Sequence, residues 1–70
     1  MKQYDVVRVA AIRGDRFTGE RPGFQRHPQV GDVGKILEVY IGAFEVECSE
    51  QATGITIGLE TMYPDELQTV

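Results

Sequence analysis

Val30-Gly31-Asp32-Val33-Gly34-Lys35-Ile36-Leu37-Glu38-Val39-Tyr40 is a turn that runs straight into an apolar strand. Adjacent Gly and Asp favour the turn. The β-branched and aromatic residues after it favour extended chain. The strand is expected over Val33 to Ile41. Its alternation is imperfect, because Ile36, Leu37, Val39 and Tyr40 do not fall on one face. A β-bulge near Leu37-Glu38 brings both Ile36 and Val39 inside and bends the strand, as a small barrel needs. Gly42-Ala43 is short enough for a hairpin turn. Beyond it Phe44 to Cys48 alternates cleanly. Phe44, Val46 and Cys48 point one way, and Glu45, Glu47 and Ser49 the other.

The flanking segments complete an all-β plan. Tyr4 to Ile12 has no Gly or Pro and reads as the first strand. It sets Val7, Val9 and Ala11 on one face. Tyr4, Val6, Arg8, Ala10 and Ile12 form the other, which is too apolar to be fully solvated. Residues 13–29 hold Gly14, Gly19, Gly23, Pro22 and Pro28, a density that opposes helix and central strand. They are expected to form a long basic loop, longer than most connections in a compact domain. After a polar turn over Ser49 to Gly54, Ile55 to Glu60 reads as the fourth strand. Ile55, Ile57 and Leu59 are expected inward, and Thr56, Gly58 and Glu60 outward. Pro64 starts a single turn in Met62 to Leu67, and Asp65 and Glu66 suit its positive end. That turn is expected to be 3₁₀. Leu67 to Val70 then forms a fifth strand paired with the first. The fold class is a single all-β domain over 1–70, a small five-stranded SH3-like barrel.

Composition bounds the function. At 70 residues and 41% hydrophobic, the chain supports one small core. No window approaches the roughly 18 apolar residues of a membrane span, and Met1-Lys2-Gln3-Tyr4-Asp5 has no apolar leader core. One cysteine, Cys48, makes no internal disulfide and fits a reducing cytoplasm. Charge is split along the chain. Residues 1–30 carry six cations against three anions, and residues 31–70 carry one against eight. The net −4 opposes long-range attraction to phosphate backbones, although the basic segment can form a local patch.

The opening Tyr4-Asp5-Val6-Val7-Arg8-Val9, the Val30 to Ile36 turn, Phe44-Glu45-Val46-Glu47-Cys48 and the closing Tyr63-Pro64-Asp65-Glu66-Leu67 resemble an uncharacterised family of small bacterial SH3-like domains, a domain of unknown function. The arginine-rich loop departs from that pattern, where a shorter connection is expected. Arg26-His27-Pro28 before Gly31-Asp32-Val33-Gly34 is also similar to the barrel of the nitrile hydratase β-subunit. That resemblance implies a structural, non-catalytic part in an enzyme complex. The Gly-Asp-x-Gly turn echoes KOW barrels, which implies nucleic-acid binding.

The residues themselves offer little chemistry. One His and one Cys, 21 positions apart, are a poor basis for a metal site, and no phosphate-loop, dinucleotide or nucleophile-elbow motif is present. Cys48 reads as a core residue and His27 as a loop residue. The expectation is therefore no catalytic residue, no metal and no cofactor. A partner surface is expected from Arg13, Arg16, Phe17, Arg21, Phe24 and Arg26 on the loop and from Glu45 and Glu47 on the sheet. The partner is a protein or a second copy of the chain. The competing local reading folds the loop onto the barrel's own acidic face, with Phe17 and Phe24 as plugs. Nucleic acid is the weaker alternative, and no membrane is involved.

Overall fold

The computed structural model describes residues 1–17 and 26–70. It is all-β: β1 (Val6–Val9), β2 (Val33–Tyr40), β3 (Ala43–Ser49), β4 (Thr56–Met62) and β5 (Leu67–Thr69), with a 3₁₀ turn over Pro64–Glu66 before the last strand. The strands form one five-stranded antiparallel sheet in the order β4-β3-β2-β1-β5. Among the described residues no helix is long and apolar enough to cross a membrane.

The bulge in β2 is where the alternation breaks. Ile36 pairs with Val46, but Glu38 pairs with Glu45, so Leu37 is the extra residue. Ile36 and Val39 therefore share the inner face with Val46 and Phe44. Ile36 is fully buried, whereas Val39, one rung from the hairpin end, stays 50% exposed. The turn is Ile41-Gly42, one residue earlier than expected, because Tyr40 pairs directly with Ala43. β3 buries Phe44, Val46 and Cys48, as its period predicts.

Two strands depart from expectation. β1 is only Val6–Val9. Tyr4 takes φ +71°, outside the extended region, and the N–H groups of Ala10 and Ala11 donate to Glu66 O instead of a ladder. Val7 and Val9 are buried, but Ala11 is exposed, and Tyr4 and Val6 lie open to solvent. In β4 the expected phase holds only at Thr56, which is exposed, and at Ile57, which is buried. Cys48 pairs with Gly58 and Ser49 with Thr56, which leaves Ile57 as a second bulge. Gly58 adopts φ +151°, a region open to glycine. Beyond it Gly58, Glu60 and Met62 occupy inner-face positions opposite Cys48, Val46 and Phe44, and Leu59 turns outward. Met62 is fully buried, while Ile55 and Leu59 are exposed.

The core is Val7, Val9, Ile36, Phe44, Val46, Cys48, Ile57, Met62 and Leu67, with Ile12 and Phe17 packed against it. Gly34 lets β3 approach: a Cβ there would lie 2.5 Å from Val46 Cγ1 and 2.8 Å from Glu47 O. No side chain fits in that space.

Candidate functional site

The loop meets the barrel at two buried carboxylates, Glu66 and Asp32. Glu66 ends the 3₁₀ turn and is fully buried. Its Oε1 accepts from Arg16 Nη2 at 2.6 Å and from the Tyr63 N–H at 3.0 Å. Its Oε2 accepts from the Arg13 N–H at 2.7 Å and from Arg16 Nε at 3.0 Å. Arg16 also donates to Thr61 O at 2.7 Å, so it ties the loop to the end of β4. The Arg13 guanidinium lies 4.0 Å above the Tyr63 ring and pairs with Asp65 at 2.9 Å, an exposed contact. Arg16 stacks 4.0 Å over Phe17, whose ring lies 5.8 Å from His27.

Asp32 is the second anchor. It follows Gly31 in the turn before β2, and its backbone O accepts from the Val9 N–H. Arg26 forks onto its carboxylate, Nη2 to Oδ1 at 2.8 Å and Nη1 to Oδ2 at 2.9 Å. The Gln29 N–H adds a third bond at 2.7 Å. Glu50 Oε2 lies 3.5 Å from the same Arg26 Nη2.

Electrostatics follows from these contacts. Burial pushes the Glu66 carboxyl up. The Arg16 fork and the N–H groups of Arg13 and Tyr63 outweigh it, so the group sits below its ordinary value. Burial likewise raises Asp32, and the Arg26 fork with the Gln29 N–H holds it below the usual range. The Arg26 guanidinium is raised, first through its bond to Asp32. Carboxylates ionised and saturated with donors in this way are poor proton carriers. They serve as clamps.

Of the expected partner-binding residues, Arg13, Arg16, Phe17 and Arg26 come together on the barrel's own acids and core. The acids they meet are Asp65, Glu66, Asp32 and Glu50 rather than Glu45 and Glu47. Arg21 and Phe24 lie outside the described residues. Glu45 and Glu47 stand on the outer face of β3. Glu45 faces Glu38 across the ladder, and Glu47 faces Lys35 and Leu59. Tyr40 Oη donates to Glu45 Oε2 at 3.0 Å, which raises the Tyr40 phenol. Cys48 is fully buried. Among the described residues no group of three or more His, Cys, Asp or Glu side chains is placed to hold a metal ion.

Sequence reasoning missed the two clamps. It placed Asp32 in a turn and Glu66 in a first helical turn, without a partner for either. It also missed the free end of the β2–β3 hairpin, where Val39, Tyr40 and Ile41 are 50%, 49% and 105% exposed. Three consecutive apolar residues at a turn were the available signal. Compared with known proteins, the chain matches no family model, no curated protein and no solved structure.

Proposed function

We propose that this chain is a non-catalytic protein-interaction module that docks through the free end of its β2–β3 hairpin. The observation that carries the reading is Ile41, fully exposed at the turn directly after half-exposed Val39 and Tyr40. A barrel gains nothing in stability by holding Ile41 wholly in water, and exposed apolar groups clustered at one end commonly mark contact surfaces. The saturated carboxylates favour a structural use for the charged loop residues. The same surface suits an accessory domain of a larger complex, as the nitrile hydratase resemblance implies. Nucleic-acid binding has less support, since Arg13, Arg16 and Arg26 already face carboxylates.

A photo-crosslinking residue placed at position 41, compared with one at position 53 in the β3–β4 turn, tests this in cells that make the protein. Discrete crosslinked species from position 41 and none from 53 are expected. Equal yields from both positions overturn the reading. A product of twice the chain mass from position 41 assigns the surface to a second copy.

A further inference from the structure

The hairpin end carries an unresolved electrostatic cost beside its apolar residues. Glu38 stands directly opposite Glu45, and Thr61 completes that rung, so the rung holds two anions and no cation. Like charges at facing positions of antiparallel strands repel. Lys35 is two rungs away, opposite Glu47. Arg13, Arg16 and Arg26 are spent on Asp65, Glu66 and Asp32. The fold therefore keeps two facing carboxylates on the outer side of the hairpin, beside Ile41 and Tyr40, whose Oη donates to Glu45.

We infer that the hairpin end receives a basic, partly apolar segment of another protein, with an apolar residue on Ile41 and a Lys or Arg between Glu38 and Glu45. The inference rests on the docking role proposed above and adds the chemistry of the partner. Charge complementarity selects this occupant over a second copy. Two hairpin ends meeting about a two-fold axis would set carboxylate pair against carboxylate pair. Arg13, Arg16 and Arg26 of a second copy are held by its own acids.

Titration of the ¹⁵N-labelled protein with three synthetic 12-residue peptides tests the idea: alternating Lys and Leu, alternating Glu and Leu, and alternating Lys and Ser. The Lys/Leu peptide is expected to shift the amides of Glu38 to Glu45 and to bind less tightly as salt rises. Ile41→Asp should weaken it about tenfold, the scale of one lost anchor. Glu38→Gln should weaken it about threefold while raising the urea midpoint of the free protein, a combination that a purely structural role for Glu38 does not produce. Equal binding of the Glu/Leu peptide at the hairpin overturns the charge assignment and leaves docking there intact. Equal binding of the Lys/Ser peptide overturns the apolar assignment. Failure of all three to reach the hairpin overturns both this inference and the docking role beneath it.

Discussion

A buried carboxylate is tolerated only when donors surround it, and Glu66 receives four hydrogen bonds from three residues. Its backbone O also accepts from Ala10 and Ala11, so this one residue joins the loop, the 3₁₀ turn and the end of β1. Glu66→Ala leaves the Arg16 guanidinium and two N–H groups without their acceptor. The expected loss is about 3 kcal/mol, a large share of the roughly 5 kcal/mol that holds a domain of this size. Urea unfolding followed by circular dichroism measures it, and a loss under about 0.5 kcal/mol would reduce the clamp to a surface ion pair. Gly34 is the other residue on which the barrel depends. Its missing Cβ is the space that Val46 and the Glu47 carbonyl occupy. Gly34→Ala should cost about 1–3 kcal/mol through overpacking. A thermal melt unchanged from that of the parent would show that β3 can move away at no cost.

At the scale of elements, legibility in the sequence followed the period. β3 alternates without interruption, so its buried face was readable from Phe44, Val46 and Cys48. β2 betrays its bulge because its apolar residues change phase within the strand. β4 hides its bulge: Ile55, Ile57 and Leu59 look like one face, and the extra residue at Ile57 sends Leu59 to the other side. The 3₁₀ turn and the pairing of β5 with β1 were legible from Pro64 and from chain closure. The Glu66 clamp was not, because Arg16 and Glu66 are 50 positions apart and no local pattern joins them. The Asp32 clamp is local, with Arg26 six positions before it, and was overlooked because Asp32 read simply as a turn residue. The β2 bulge makes a further test possible. Removing Leu37 restores one-to-one pairing while Ile36, Val39, Val46 and Phe44 keep their common face. What disappears is the local bend. The deletion should therefore preserve the far-ultraviolet spectrum of a β protein and lower stability by about 1–3 kcal/mol, within the usual range for a single change. An increase in stability would mean that the barrel does not need the bend.

For the whole molecule, the balance between two buried clamps and a net charge of −4 decides how it responds to acid. Asp32 and Glu66 both have folded pKa values below their ordinary ones. A group of that kind contributes its full stabilisation above its unfolded value, about 3.9 for Asp and 4.3 for Glu. The contribution is lost as pH falls through the folded value. Acid also lowers the net negative charge of the surface, which relieves self-repulsion and acts in the opposite direction. Exposed charges are screened and each is worth little, so the clamps should dominate. The urea midpoint is expected to stay level from about pH 7 to 5 and to fall steeply below about pH 4. The fall should persist at about 1 M salt, where screening reaches about 3 Å and surface repulsion is largely removed. Glu66→Gln and Asp32→Asn should each lower the neutral plateau and flatten the acid limb, so that the variant curves approach the parent at low pH. A midpoint that rises on acidification from about pH 5 to 3 would mean that surface repulsion outweighs the clamps.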